Sequence, residues 1–226
     1  MKRDDIFRIA SQSKAITSLA AMMLWEEGKF LLDDPISKYI PEFKNPKVIK
    51  SFSKEDSTFT TEPAVREITV RHLLTHSSGL DYAVIGSTEF KAIYAKAGIP
   101  SGIGNDADVL ADKMKLLGSM PLKHQPGERW TYGLNTDVLG YLVEIWSGQS
   151  FDQFLKTRIF EPLGMKDTYF YLPKNKHNRL VALHGNKDGK VFKMKSAAYD
   201  ALDVDYPKRQ GTYFSGGAGL SSTAED

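Results

Sequence analysis

Cysteine is absent from the 226 residues. This excludes a disulfide framework, thiolate metal sites and a cysteine nucleophile, but selects no compartment. Missing too is any apolar run near the ~20 residues that a membrane-spanning helix needs. The opening Met1-Lys2-Arg3-Asp4-Asp5 leads into no continuous apolar stretch and no small-residue cleavage site, so it carries no readable export signal. Neither sign of charge is in excess: 30 Lys and Arg stand against 28 Asp and Glu, a net charge of +2. With basic residues scattered, there is no footprint for nucleic acid and no polybasic anchor for a membrane surface. What is present is globular in character, 41% hydrophobic and 11% aromatic. That is enough for one large domain or two small ones with a sizeable core.

Periodicity divides the chain into short elements. Ile6 to Ile9 reads as the end of a strand or an extended lead-in. From Ser11 to Glu27 the apolar positions Ile16, Leu19, Ala20, Met23 and Leu24 recur at helical steps, and Gly28 stands where a C-cap belongs. Residues 44–63 are polar and irregular, which predicts a surface loop. Thr69 is placed to cap a short helix carrying Val70, Leu73 and Leu74. Further helices are expected over Asn105 to Leu117, through Val138, Leu139, Leu142, Val143 and Trp146, and after a Ser150/Gln153 capping box. Leu180 to Leu183, the Asp188-Gly189 turn and Val191 to Met194 predict a hairpin. There is no internal repeat and no sharp linker.

Ser11-Gln12-Ser13-Lys14 sets a hydroxyl and an amine three residues apart, on one face of the start of a helix. A serine needs a nearby base to become a nucleophile, and a desolvated lysine can serve. The positive end of the helix favours the negative charge that develops on an attacked carbonyl oxygen. Roughly two such spacings are expected by chance in this composition. The chain holds a second, Ser51-Phe52-Ser53-Lys54, which lies in the polar stretch with no helical pattern behind it.

Longer stretches extend the signal. The segment Phe7-Arg8-Ile9-Ala10-Ser11-Gln12-Ser13-Lys14, with the helix after it and Leu32-Asp33-Asp34-Pro35-Ile36, resembles the nucleophile region of serine β-lactamase-related hydrolases. Their branches include class C β-lactamases, penicillin-binding proteins, β-lactamase-like carboxylesterases and D-amino-acid peptidases. Ile68 to Leu80, containing His72-Leu73-Leu74-Thr75-His76-Ser77-Ser78-Gly79, is similar to a second signature. Pro126-Gly127-Glu128-Arg129-Trp130-Thr131-Tyr132-Gly133-Leu134-Asn135, running into Asp137-Val138-Leu139-Gly140, resembles a third. Ile159 to Met165 and Ser215-Gly216-Gly217-Ala218-Gly219-Leu220 complete the order.

The resemblance implies an α+β fold of the β-lactamase/transpeptidase type: an antiparallel sheet flanked by helices, with a helical subdomain. It implies acylation of Ser11, with Lys14 and Tyr132 sharing the proton. An unperturbed tyrosine or lysine titrates near ~10, so a base of either type must be tuned downward, and which one acts is left open. Trp130, Leu134 and Asn135, around the tyrosine, are the expected substrate-binding residues. The pattern departs from class C β-lactamases in one place: the asparagine expected two residues after the tyrosine is Leu134, with Asn135 one later. This shifts the expectation toward small carboxylic esters over β-lactams or D-amino-acid peptides.

No K-T-G or H-x-G motif follows Gly219, and few residues precede Ser11. The expectation is therefore a partial domain over 1–226, with its sheet incomplete and little activity of its own. No metal or organic cofactor is implied, since His72 and His76 lack the glutamate of a zincin motif. The partner expected is a small acyl substrate; a periplasmic or secreted location follows from the resemblance alone, and oligomeric state is left open. A non-catalytic binding module on the same fold is the contrasting expectation.

Overall fold

A computed structural model describes residues 2–195 and 203–226. After the strand β1 (Phe7–Arg8) and a 3₁₀ turn at Ala10–Gln12 comes the helix α1, Ser13–Glu26. Its sequence contains no glycine or proline and is rich in Ala, Leu and Met, which sustain a helix. Gly28 ends it at φ 73°, and the Lys29 N–H bonds back to the Leu24 carbonyl at 3.0 Å, as in a Schellman closure. The buried face of α1 is Ser13, Thr17, Ala20, Ala21 and Leu24. Four of these five are small, so the neighbouring backbone can approach closely.

That neighbour is α5, Asn135–Ser147, against which α1 packs. Every residue from Asn135 to Val143 except Tyr141 is buried, making α5 the central helix. Around it lie α2 (Val70–Leu74), α4 (Leu110–Gly118) and α6 (Phe151–Leu155). Gly140 lets α6 close in, because a Cβ there would lie 3.1 Å from the Phe151 ring. Trp146 stacks on Phe30 at 3.8 Å and meets the edge of Tyr39 at 5.5 Å, closing one end of the core.

Among the described residues the strands are few and antiparallel, in three pairs. β1 pairs with β6 (Ser221–Ser222), matching Phe7 to Ser222 and Arg8 to Ser221. The pairing carries the glycine-rich segment past the start of α1, and the Ile9 N–H donates to the Leu220 carbonyl at 3.0 Å. A hairpin joins β2 (Lys47–Phe52) to β3 (Phe59–Pro63), and another joins β4 (His184–Lys187) to β5 (Lys190–Lys193).

Several expected elements are corrected. The stretch 44–63 is a hairpin, not a loop; of its strand residues only Val48 is buried, so almost no apolar alternation marks it. The helix expected from Asn105 begins at Leu110; the later hairpin turns at Asp188-Gly189 and carries Val191 in its second strand, as expected, but its first strand is His184–Lys187 and not Leu180 to Leu183. Helix α3, Thr88–Ala97, was unforeseen although Phe90, Ile93 and Tyr94 line its buried face. Ser150 forms no capping bond; α6 instead runs on into a wide π-type turn over Lys156–Phe160. Thr69 does cap α2, as expected, accepting from the His72 N–H while its own N–H donates to His72 Nδ1.

Candidate active site

Ser11 sits in the 3₁₀ turn that leads into α1, one residue after Ala10, whose φ is 45°. A left-handed conformation at a residue with a Cβ is strained and needs support from its surroundings. Here the support comes from the glycine-rich segment. Ser13 Oγ accepts from the Leu220 N–H at 3.1 Å, and Thr17 Oγ1 donates to the Gly216 carbonyl at 2.7 Å. Ser11 is left exposed, while Ser13 and Thr17 are buried.

Lys14, one helical step on, donates from Nζ to the Gly217 carbonyl at 2.7 Å and to Ser11 Oγ at 3.2 Å. Tyr132 arrives from the loop ahead of α5, and its OH lies 2.7 Å from Ser11 Oγ. Lys14 Nζ stands 4.8 Å from the centre of the Tyr132 ring. Serine, lysine and tyrosine thus form one connected group. Burial pushes the Tyr132 phenol up, but hydrogen bonds to Lys14 and Ser11 and the positive charge of Lys14 outweigh it, so its pKa falls below that of ordinary tyrosine.

Of the residues expected to meet a substrate, Trp130 alone is open to solvent, 65% exposed beside the group, its ring 5.9 Å from that of Tyr132. Leu134 and Asn135 are corrected. Leu134 is fully buried in the apolar core. Asn135 is also fully buried, and its amide is engaged at both ends, by Ser78 Oγ and by His76 Nδ1 at 3.0 Å. The first turn of α5 points both side chains inward, so neither offers a group to a ligand.

Three further residues complete the surroundings. His76 lies face to face with Tyr132 at 5.7 Å; burial first, then the charge of Lys14, lowers its pKa. Its φ of 54° is a second strained position at the site. Tyr82 packs 5.0 Å from Tyr132, and its own phenol is pushed far up by burial. Asp137 is buried behind Lys14, and burial raises it to about 6. The sequence held one signal for it: a carboxylate in the first turn of a helix whose neighbours are all core residues. His72 and His76 diverge, one turning back to cap its own helix and the other crossing to Asn135.

Tyr213 is buried with its OH 3.4 Å from Asp137 Oδ1. Phe214 lines a cavity of about 570 Å³ with Phe160, Met165 and Phe170, whose walls include none of Ser11, Lys14 and Tyr132.

Comparison with known proteins places this arrangement in context. The Beta-lactamase family model matches residues 1–226. Protein Rv1367c of Mycobacterium tuberculosis is 34% identical over 226 residues, covering all of this chain and 53% of that protein. Esterase EstB of Burkholderia gladioli is 32% identical over 240 residues, again covering the whole chain and 56% of EstB. Among solved structures, EstCE1, described as a hydrolase with promiscuous acyltransferase activity, superposes with a TM-score of 0.81 at 28% identity, over 100% of this chain and 57% of that one. The chain spans about half the length of the curated relatives it matches.

Proposed function

Because the chain belongs to the beta-lactamase family, we propose that it carries the nucleophile half of a serine hydrolase that cleaves small carboxylic esters through an acyl-Ser11 intermediate. One observation carries the reading: Ser11 Oγ meets Tyr132 OH at 2.7 Å and Lys14 Nζ at 3.2 Å, although Tyr132 is 121 residues away in sequence. A chance S-x-x-K has no reason to acquire a phenol at that distance.

The shorter contact and the lowered phenol pKa favour Tyr132 as the group that takes the Ser11 proton. Before the transfer the charge of Lys14 favours the Tyr132 phenolate; as the phenolate takes the proton, Ser11 Oγ bonds to the acyl carbon and the negative charge passes to the carbonyl oxygen of the adduct. Collapse of the tetrahedral adduct breaks the ester C–O bond, and the proton held by Tyr132 passes to the departing alcohol. Water repeats the sequence on the acyl-serine, giving the acid and restoring Ser11. The tyrosine and lysine act as one coupled pair throughout.

Esters are favoured over β-lactams by the inward turn of Leu134 and Asn135, which leaves no side-chain amide after the tyrosine to recognise a lactam's own amide. The naming of EstB as an esterase supports the same choice. Trp130 supplies an exposed flat surface for the acyl or alcohol part. The test, on the whole protein that carries this sequence, is labelling with a fluorophosphonate followed by hydrolysis of p-nitrophenyl esters and nitrocefin. The expected result is a tag on Ser11 that disappears in Ser11→Ala, with esters turned over in preference to nitrocefin. A tag elsewhere, or none, refutes the reading and favours a binding module.

A further inference from the structure

Behind the Ser11 group lies a carboxylate that the acylation steps do not use. Asp137 is fully buried in the first turn of α5. Its Oδ1 accepts from Tyr213 OH at 3.4 Å, and Ser215 and the Gly217 N–H also pull its pKa down. Burial outweighs these partners, so the ionised carboxylate works against folding and its presence calls for a reason other than stability.

Gly217 relates this carboxylate to the reacting groups. A Cβ on Gly217 would lie 2.7 Å from Asp137 Oδ2, 3.3 Å from Tyr82 OH and 3.5 Å from Lys14 Nζ. Carboxylate, phenol and amine therefore converge on one side of the Gly217 backbone, which only a glycine leaves open. The carbonyl of the same residue accepts from Lys14 Nζ at 2.7 Å. Since Lys14 also reaches Ser11 Oγ, any movement of the Gly217 segment carries the amine relative to the nucleophile.

We infer that Asp137 is a positioning residue of the Ser11 site, its negative charge holding the Lys14 amine and the Gly216–Gly217 segment where they reach Ser11. Asp137 is fully buried, so it acts on the site only through its neighbours. The inference deepens the serine-hydrolase reading and rests on it. The groups that face the carboxylate are Lys14 from α1, Tyr82 from the loop beyond α2, and Tyr213, Ser215 and the Gly217 N–H from the glycine-rich segment, with Gly102 closing another side. Lys14 is the cation of this set. Burial raises Asp137 to about 6, against the pull of Ser215, Lys14, Gly217 and Tyr213, so its charge is lost in mildly acidic solution.

The experiment follows the rate of fluorophosphonate labelling of Ser11 between about pH 5 and about pH 8, in the whole wild-type protein that carries this sequence and in its Asp137→Asn variant, with thermal midpoints measured alongside. In the wild type the rate is expected to fall with an inflection near pH 6. Asp137→Asn should label about tenfold or more slowly at neutral pH, a loss of the size seen when a supporting partner is removed. That inflection should vanish, and the thermal midpoint should match or exceed the wild type. Labelling of Asp137→Asn at the wild-type rate with the same pH profile overturns the inference. A lowered thermal midpoint with the inflection retained also overturns it, by making Asp137 part of the scaffold. A whole wild-type protein that is not labelled is recognisable before any substitution is made; it refutes the serine-hydrolase reading and takes this role with it.

Discussion

Replacing Asp137 by asparagine tests the energetic side of the buried carboxylate without any substrate. The substitution keeps the shape of the side chain and removes its charge. The folded carboxyl titrates at about 6 against 3.8 for an unburied aspartate, and each unit corresponds to about 1.36 kcal/mol. Because the folded value is raised, the folded state binds the proton more tightly than the unfolded chain. Its relative stability is then highest below about pH 4, declines as the pH rises and reaches its low level above about pH 6. The accumulated penalty is about 3 kcal/mol, of which Asp137→Asn should recover a large part at pH 8 and almost none at pH 4. For a chain of this size that is roughly 2–4 °C of thermal midpoint per kcal/mol. Urea unfolding of both proteins at acidic and alkaline pH, read as a change in midpoint at constant slope, measures it. A variant less stable than wild type at pH 8, or a difference independent of pH, refutes the argument that Asp137 is an ionised group held against its own solvation.

Other substitutions probe the remaining links. Tyr132→Phe deletes the hydroxyl 2.7 Å from Ser11 Oγ and should reduce Ser11 labelling and ester turnover by about 10²-fold or more with little loss of stability; a rate within twofold of wild type would remove the tyrosine from the proton path. Gly217→Ala drives a Cβ to 2.7 Å from Asp137 Oδ2. It should cost about 1–3 kcal/mol in urea unfolding, as overpacking does, and slow labelling as well; an unchanged labelling rate would dissociate this backbone from the site. Trp146→Ala leaves Phe30 and Tyr39 facing a void, with an expected loss of about 3–5 kcal/mol and no change in the pH dependence of labelling by whatever protein stays folded.

Local chemistry was legible where it repeats over short spans. The helix after Ser11 shows in the helical spacing of Ile16, Leu19, Ala20, Met23 and Leu24 and in Gly28, although of these apolar positions only Ala20 and Leu24 lie on the buried face and Leu19 is exposed. The capped helix at Thr69 was readable from its short-range spacing as well. The hairpin at 47–63 was not, since its strands expose nearly every side chain and leave no alternation to see. Leu134 and Asn135 were misjudged because nearness in sequence to Tyr132 says nothing about facing: one helical turn directs them into the core.

The amino-acid order alone determined that a serine and a lysine share a helix start, that a tyrosine lies in a loop far downstream, and that a glycine-rich segment closes the series. It also determined the family, since five short likenesses keep their order along the chain. The sequence already favoured Ser11 over the second S-x-x-K copy, which has no helical pattern behind it, and the tertiary structure adds what each serine meets. Ser51 bonds Thr60 across an exposed hairpin at 2.5 Å, whereas Ser11 meets a phenol and an amine. Tertiary structure alone set Asp137 behind Lys14. The physical reason is range: spacing along a helix is written in neighbouring residues, whereas the meeting of groups from α1, the loop before α5 and the glycine-rich segment exists only once those elements pack around a common core.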